Sequence, residues 1–233
     1  MYKRQRGLGD VYKRQGYDCA KIAAEAEKGG TTAIMIGGST LASSADLDEA
    51  VQRIKKAVKI PVILFPNGPM GISKYADAVW FMSLLNSQNP YYLIDAQMLS
   101  APMVKQYCLE AIPMAYIIAG EGCVAGYVGY ARPISFRHPK LAVGYALAAE
   151  TMGMRFVYLE AGSGAKEPIP PTMVGAVTKY LDIPVIVGGG IRTAEAARNA
   201  KMAGASAIVT GTLIEEESEV KEKIKQIVKA ISN

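Results

Sequence analysis

The feature of this sequence that most constrains its fold is a regular alternation of short apolar runs with segments of helical periodicity, from residue 17 to the C-terminus. The runs are apolar throughout, which is typical of parallel strands covered on both faces. Half of the 233 residues are hydrophobic, so the chain can bury a large core. We predict seven strands: Thr32–Ile36, Pro61–Phe65, Ala78–Met82, Ile112–Ile118, Arg155–Glu160, Pro184–Val187 and Ser206–Val209.

Helices are predicted between the strands, where apolar residues recur every three or four positions. They are Cys19–Lys28, Asp46–Val58, Tyr91–Tyr107, His138–Thr151, Pro171–Tyr180, Ala194–Ala203 and Glu216–Ile231. The long loop between two of them, Ala119–Arg137, has room for a hairpin over Val124–Tyr130.

Strand–helix alternation of this length indicates an α/β fold. We predict a (β/α)8 TIM barrel of the phosphate-binding type. Such a barrel has eight strands, one more than the seven predicted here. The additional strand should precede the first helix, so the first strand of the barrel is predicted to be replaced or missing. An open doubly wound sheet is the alternative, but no GxGxxG dinucleotide fingerprint opens the chain.

The first sixteen residues differ from the rest of the chain. Tyr2-Lys3-Arg4-Gln5 recurs as Tyr12-Lys13-Arg14-Gln15, with neither helical nor strand periodicity. We interpret residues 1–16 as a basic tail foreign to the fold, with a functional basic arm as the alternative. Residues 17–233 are predicted to form a single domain.

The charge and the cysteines narrow the functional classes. Residues 1–16 contain five basic residues and one acid, so they carry +4 of the net charge of +5, which argues against nucleic-acid binding. Three cysteines without CxxC spacing predict neither a disulfide framework nor a zinc site. The apolar run Ile112–Ala119 is far shorter than the ~20 residues of a membrane-spanning helix. With no apolar signal-peptide core near the N-terminus, we predict a cytoplasmic protein without stable membrane insertion.

Three loops rich in Gly, Ser and Thr follow the last three predicted strands, where barrels of this type hold a phosphate. Glycines let backbone N–H groups approach a phosphate closely, and a helix starting after the loop adds a favourable dipole. Ser163 and Thr212 can add hydroxyl donors. The loops that predict this phosphate site are Tyr158-Leu159-Glu160-Ala161-Gly162-Ser163-Gly164, Val187-Gly188-Gly189-Gly190-Ile191-Arg192-Thr193 and Thr210-Gly211-Thr212.

Glu160 is the one carboxylate at the end of an apolar strand among these loops. It can act as a general base or bind a substrate hydroxyl, and a salt bridge or loop hydrogen bond is the structural alternative. Tyr158 points the same way from the strand, either as a site residue or as a packing residue. Ser39 and Thr40 end the first predicted strand and could offer hydroxyls to Mg²⁺, which prefers a carboxylate and substrate phosphates.

These residues, together with three further stretches, resemble the geranylgeranylglyceryl phosphate synthase family. Its members are archaeal-type prenyltransferases that make the first ether bond of isoprenoid lipids. Related bacterial enzymes use a heptaprenyl donor, but the motifs here are more similar to the archaeal ones. The resemblance runs from about Cys19 to Ile231, and its further stretches are Phe81-Met82-Ser83-Leu84-Leu85-Asn86-Ser87 followed by Asn89-Pro90-Tyr91, Ile112-Pro113-Met114-Ala115-Tyr116-Ile117-Ile118, and Gly71-Ile72-Ser73-Lys74-Tyr75-Ala76-Asp77.

The resemblance implies a homo-oligomeric, Mg²⁺-dependent enzyme that joins geranylgeranyl diphosphate to the 3-hydroxyl of sn-glycerol 1-phosphate. Glu160 would bind or deprotonate the attacking hydroxyl, with Tyr158 beside it. The prenyl chain would lie along the top of the barrel, beside Tyr116 and Tyr92. The phosphate and hydroxyls of glycerol phosphate would be held by Tyr158, Leu159, Glu160, Ala161, Gly162, Ser163, Gly164, Gly189, Gly190, Gly211 and Thr212.

The metal ligands are also implied by the resemblance. Ser39 matches the family's ligand from the second strand. The family's first strand ends in an apolar-Asp-Pro run whose Asp binds Mg²⁺. Asp10 lies at about the matching distance before Ser39, but in the context Gly9-Asp10-Val11, which makes it a weak match.

Two other functions stay open. Another phosphate-binding barrel enzyme, an isomerase or lyase, should carry a second acid/base carboxylate across the barrel mouth. A non-catalytic descendant without its first strand could bind glycerol phosphate only. For the enzyme, peripheral membrane contact could serve its lipid product.

Overall fold

Parallel strands and helices alternate through the described part of the chain, which in this computed structural model comprises residues 19–37, 43–211 and 219–232. The seven strands described there pair in sequence order, each parallel to the next. They are β1 Ile34–Gly37, β2 Val62–Phe65, β3 Ala78–Leu84, β4 Glu110–Ile118, β5 Phe156–Glu160, β6 Val185–Gly188 and β7 Ala207–Ile208.

The helices begin where capping residues occur in the sequence. The Ser43 hydroxyl accepts a hydrogen bond from the Asp46 N–H at 3.2 Å, and the Thr193 hydroxyl accepts one from the Ala196 N–H at 3.1 Å. Each satisfies a backbone donor that a helix start leaves free. The helices described are α1 Cys19–Lys28, α2 Ser44–Ala57, α3 Ala96–Gln106, α4 Cys123–Val128, α5 Pro139–Thr151, α6 Pro171–Thr178, α7 Ala194–Met202 and α8 Val220–Ser232.

The sheet curls on itself, because alternate side chains of all seven described strands meet in one buried cluster. Met35 of β1 and Ala207 of β7, the first and last of these strands, belong to the same cluster. The intervening side chains face the helices in two other clusters. The outer layer of helices also closes, since the last helix, α8, packs against both α7 and the first helix, α1.

This architecture confirms the predicted α/β, TIM-barrel-like fold. A doubly wound sheet would place its first strand in the middle of the sheet, whereas the order observed here is sequential. The expectation of a replaced or missing first strand falls on residues outside the described ones, as do Asp10, Ser39, Thr40 and Thr212. No helix in the described ranges is long and apolar enough to cross a membrane.

Two segments differ from the sequence prediction. The predicted hairpin over Val124–Tyr130 is wrong, because the helix α4 occupies this segment, with the Gly126 N–H donating to the Gly122 carbonyl at 2.8 Å. Gly122 precedes α4 with a φ of +72°, which glycine adopts without strain. The predicted helix Tyr91–Tyr107 opens with a π-helical turn, Tyr91–Asp95, before α3.

Candidate active site

A cavity of about 210 Å³ opens at the carboxyl ends of the strands. Its polar part is lined by Glu160, Ser163 and Arg192, together with glycine backbone. It continues into an apolar groove between α3 and α4, which is lined by Ala96, Ser100, Ala125, Val128 and Gly129. One continuous space can therefore receive a polar group and an apolar chain.

Glu160 ends β5 and points into the barrel, in register with Gly188 of β6. Its side chain is only 6% exposed. The Gly162 N–H donates a hydrogen bond to its Oε1 at 2.6 Å, and the hydroxyls of Tyr116 and Tyr158 donate to the same carboxylate. Three donors from three directions fix the position of this carboxylate.

Burial raises the pKa values of two titratable groups at this point. Burial raises the pKa of the Glu160 carboxyl above its ordinary value, although the bonds from Gly162, Tyr116 and Tyr158 lower it. Burial, and then the adjacent Glu160 charge, raises the pKa of Tyr158 well above its ordinary value. Tyr158 therefore stays a hydrogen-bond donor, while Glu160 is a stronger base than an exposed carboxylate.

Three aromatic rings support Glu160 from inside the barrel. The ring centroids of Tyr116 and Tyr158 are 5.2 Å apart. Phe65, at the end of β2, lies 5.3 Å from Tyr116 and 5.6 Å from Tyr158. Edge-to-face and tilted packing of this kind holds the two hydroxyls in place.

Two glycines at the end of β6 are required by the close approach of β5. A Cβ on Gly188 would overlap the Tyr158 hydroxyl. A Cβ on Gly189, whose φ is +79°, would overlap Glu160 Oε1 and lie 2.7 Å from the Gly162 nitrogen. The glycine run that predicts a phosphate site therefore also makes room for the Glu160 carboxylate.

The structure brings together most of the site residues predicted from the sequence. Tyr92, Tyr116, Tyr158, Glu160, Ser163, Gly189, Gly190 and Gly211 all line the cavity. Leu159 and Ala161 instead turn their side chains toward the helices, in the core cluster behind β5. The Ala161 N–H is also engaged, since it donates to the Gly188 carbonyl at 3.1 Å. Gly162 and Gly164 lie in the same loop, and the Gly162 N–H holds Glu160.

Tyr116, expected beside the prenyl chain, lies where the two parts of the cavity meet. It contacts Glu160 through its hydroxyl and lines the cavity with its ring. Tyr92, from the π-turn, lines the groove and stacks on Tyr130 at 6.5 Å. The two tyrosines therefore occupy different positions along the cavity.

Sequence reasoning missed several lining residues. Arg192 lies in a predicted phosphate loop, two residues after its last glycine, but was not singled out as a site residue; it is an exposed cation at the polar end of the cavity. Phe65 ends a strand that carries no polar motif, so nothing in the sequence marked it. The α4 residues were missed because this segment was expected to form a hairpin.

The described residues supply few ligands for a metal ion. Within the described ranges, no three His, Cys, Asp or Glu side chains come together. Among these residues Glu160 is the carboxylate that lines the cavity, and its oxygens already accept hydrogen bonds. The predicted ligands Ser39 and Asp10 lie outside the described ranges, so the predicted metal site stays a prediction.

Sequence comparison identifies relatives over almost the whole chain. The model of the PcrB family matches residues 15–231. A geranylgeranylglyceryl phosphate synthase from Pyrococcus furiosus is 55% identical over 207 residues, which cover 89% of this chain and 82% of the relative. The synthase of the same name from Thermofilum pendens is 53% identical over 211 residues, covering 91% and 82%.

Solved structures agree with these relatives. The crystal structure of (S)-3-O-geranylgeranylglyceryl phosphate synthase from Thermoplasma acidophilum, in complex with its substrate sn-glycerol-1-phosphate, matches with a TM-score of 0.95. It is 45% identical, and the match covers 98% of this chain and 93% of that one. Thiamine phosphate pyrophosphorylase from Pyrococcus furiosus, at 16% identity and a TM-score of 0.64, covers 98% of this chain and 95% of that one, and shares the fold alone.

Proposed function

The chain belongs to the PcrB family, and from that premise we propose that it is a prenyltransferase that forms geranylgeranylglyceryl phosphate. It joins geranylgeranyl diphosphate to the 3-hydroxyl of sn-glycerol 1-phosphate through an ether bond. The observation that carries this proposal is the single cavity in which a buried, fixed carboxylate lies between a glycine-lined polar pocket and an apolar groove.

The polar pocket accommodates glycerol phosphate. The backbone of Gly189, Gly190 and Gly211 lines it, and the Ser163 hydroxyl adds a donor. Arg192 at its mouth supplies a positive charge for the phosphate. A phosphate held there would bring the glycerol hydroxyls toward Glu160.

Glu160 acts as the general base. Its carboxylate takes the proton of the attacking hydroxyl as that oxygen forms a bond to C1 of the prenyl donor. The bond between C1 and the diphosphate oxygen breaks, and the diphosphate leaves with the electron pair. Tyr116 and Tyr158 orient the carboxylate through their hydroxyls and keep their own protons.

The apolar groove accommodates the prenyl chain. Its walls are formed by small or apolar residues of α3 and α4, with Tyr92 beside them. An apolar groove of this kind binds an apolar chain by removing it from water.

Mg²⁺ is the proposed metal. When bound, it neutralises the negative charge on the departing diphosphate. Ser39, and a carboxylate in the position of Asp10, are its proposed ligands together with diphosphate oxygens. Chelation of Mg²⁺ should abolish turnover and leave glycerol phosphate binding intact, as measured by calorimetry.

The test is formation of the ether product. The purified full chain is incubated with Mg²⁺, labelled sn-glycerol 1-phosphate and geranylgeranyl diphosphate, and label is extracted into organic solvent. We expect extractable label, and far less from labelled sn-glycerol 3-phosphate. Calorimetric binding of glycerol phosphate without any product would instead favour the non-catalytic alternative.

The isomerase or lyase alternative has less support. It requires a second acid/base carboxylate across the barrel mouth, and among the described residues lining the cavity Glu160 is the one carboxylate.

A homo-oligomer is also proposed. Leu141 and Met152, in and just after α5, lie on the same side of this helix and are 57% and 70% exposed. A second copy covering this face would remove these side chains from water. The cytoplasmic location and the lack of nucleic-acid binding stay predictions.

A further inference from the structure

The α3 side of the groove exposes large apolar side chains. Small residues, Ala96 and Ser100, face the cavity. Ile94, Met98 and Leu99 are instead 61%, 59% and 50% exposed. A surface helix normally buries its large apolar side chains and exposes polar ones, so this wall has the reverse arrangement.

The same arrangement occurs across the groove. Ala125 and Val128 of α4 line the cavity. Val124, Tyr127 and Tyr130 are 52%, 87% and 61% exposed. We call the six exposed residues the apolar rim: Ile94, Met98, Leu99, Val124, Tyr127 and Tyr130.

The apolar rim carries few charges and lies at one end of the barrel. The exposed Asp95 follows Ile94, and no other charged residue occurs before Lys105; none occurs between Glu121 and Arg132. The π-turn and the start of α3 follow β3, and α4 follows β4, so both walls lie at the carboxyl ends of the strands. The groove therefore opens between two exposed, mainly apolar surfaces, with Asp95 as the charge within the α3 side of the rim.

We propose that the apolar rim docks on the surface of a lipid bilayer, so that prenyl donor and ether product pass between bilayer and groove. This inference rests on the proposed function, because a prenyl substrate makes the groove a site for a lipid chain. Both the donor and the product carry an apolar chain and an anionic head group. Each would have to expose that chain to water if the groove opened into solvent.

The composition of the rim suits this partner. Tyrosine is favoured at the boundary between water and hydrocarbon, because its ring is apolar and its hydroxyl is polar. Aliphatic side chains and methionine add apolar area without charge. The rim is also continuous with the groove through Tyr130, which stacks on the groove residue Tyr92.

The first test is vesicle binding by the full chain. Flotation with phosphatidylcholine vesicles is compared for the wild type and for Met98→Ser/Tyr127→Ser, which changes one residue on each side of the groove. We expect the partition coefficient of this double variant to be about tenfold lower than that of the wild type. The reason is that serine transfers less apolar area from water to the bilayer than methionine or tyrosine does.

The matched control is Tyr180→Ser/Met202→Ser. These residues are 57% and 76% exposed, and they follow or end the helices α6 and α7 at the opposite end of the barrel. This variant should bind vesicles as the wild type does. Equal binding by the two double variants, or no binding by the wild type, would overturn the proposal.

The second test separates docking from catalysis. Product formation is measured with geranylgeranyl diphosphate supplied in vesicles and with geranyl diphosphate, a short donor, in solution. The rim variant should be slower with the vesicle donor alone. If the wild type makes no product from either donor, the proposed function fails. If the wild type is active and the rim variant matches its rate with the vesicle donor as well as with the soluble donor, only the docking proposal fails. Wild-type dimers that dissociate in the rim variant would assign the rim to a second copy and also overturn the docking proposal.

Discussion

At the scale of single residues, the proposed chemistry of this barrel depends on one buried carboxylate. Placing a charge in an apolar interior is unfavourable unless donors surround it. Glu160 has such donors, in the Gly162 N–H and the hydroxyls of Tyr116 and Tyr158. Burial still outweighs these bonds, so the pKa of Glu160 remains raised. The site therefore keeps a stronger base at a cost in folding stability.

Replacing the base should remove catalysis without removing the fold. Glu160→Gln keeps the size of the side chain and an oxygen that accepts the Gly162 N–H, but it cannot take a proton. We expect kcat to fall by about 10²- to 10⁴-fold, the usual contribution of general base catalysis, with a smaller change in KM for glycerol phosphate. Initial rates at saturating substrates measure this.

Glu150→Gln is the matched control. Glu150 accepts bonds from the N–H groups of Asp182 and Ile183 at 2.8 and 3.0 Å, away from the cavity. Its replacement should leave kcat unchanged. If kcat of the Glu160→Gln enzyme lies within about twofold of the wild-type kcat, Glu160 is not a general base that contributes 10²-fold or more.

The raised pKa of Glu160 also predicts a pH dependence of stability. Between the ordinary carboxyl pKa of 4.5 and the raised folded value, the folded chain binds this proton more tightly than the unfolded chain. The contribution of Glu160 to stability is therefore lost as pH rises through that window. Glu160→Gln removes the effect, so its Tm minus that of the wild type should increase as pH rises. Calorimetric scans at a series of pH values measure it, and a difference that shrinks with pH would contradict a raised pKa.

Gly189 offers a test of the close approach between β5 and β6. Alanine there meets the left-handed strain of a φ of +79° and overlaps Glu160 Oε1. Gly153→Ala has a similar φ of +83°, but no atom lies within 4 Å of the added Cβ. Both variants should lose about 1–2 kcal/mol of stability from the left-handed backbone, and the overlap should add to the loss in Gly189→Ala. Only Gly189→Ala should also weaken glycerol phosphate binding, by tenfold or more in calorimetry; equal binding by both variants would contradict this role.

Residues that combine a chemical type with a strand end were predictable from the sequence. Glu160 and the glycines after β6 are of this kind, because parallel strands all end at the catalytic face. Phe65 and the contact of Tyr116 with Glu160 were not, since they depend on which inward side chains reach each other across the barrel. Leu159 and Ala161 were predicted as site residues although their side chains face away from the site. Side chains alternate along a strand, so the neighbours of Glu160 point toward the helices.

At the scale of elements, the strands and long helices were predicted closely, and the irregular segments were not. Apolar runs and capping residues in the sequence directly indicate the strands and the long helices. The π-turn Tyr91–Asp95 depends on side chains distant in sequence. The Ser83 hydroxyl donates to the Leu93 carbonyl at 2.7 Å, and the Gln97 side-chain amide donates to the Tyr92 carbonyl at 3.4 Å. These bonds satisfy carbonyls that an ordinary helix would use itself.

Ser83→Ala tests whether this turn positions Tyr92. The variant leaves the Leu93 carbonyl without its partner, and a lost hydrogen bond of about 1 kcal/mol corresponds to roughly a fivefold change in an equilibrium. We expect KM for the prenyl donor to rise by about that factor, with KM for glycerol phosphate unchanged. Ser232→Ala, which removes a bond of 2.7 Å to the Val228 carbonyl far from the groove, should change neither. Equal effects on both substrates would indicate a general loss of structure.

At the scale of the whole molecule, the barrel separates its surfaces by function. The strand carboxyl ends form the cavity, and the apolar rim surrounds the groove at the same end. The apolar outer face of α5 lies on the side wall, where the only charges between Pro139 and Thr151 are Lys140 and Glu150. A second copy bound at this wall would leave the mouth of the barrel free.

The outer face of α5 should therefore be the oligomer interface. Leu141 is 57% exposed on this helix, and Leu141→Lys would place a charge in an apolar contact, which is unfavourable without a partner. We expect a wild-type oligomer and a Leu141→Lys monomer in sedimentation analysis at the same concentration. Met202→Lys introduces the same charge at a residue that is 76% exposed on α7, and it should remain oligomeric. Glu160, Ser163 and Arg192 line the polar pocket from the ends of two neighbouring strands. The Leu141→Lys monomer should therefore still bind glycerol phosphate, and loss of that binding would show that the neighbouring copy supports the site.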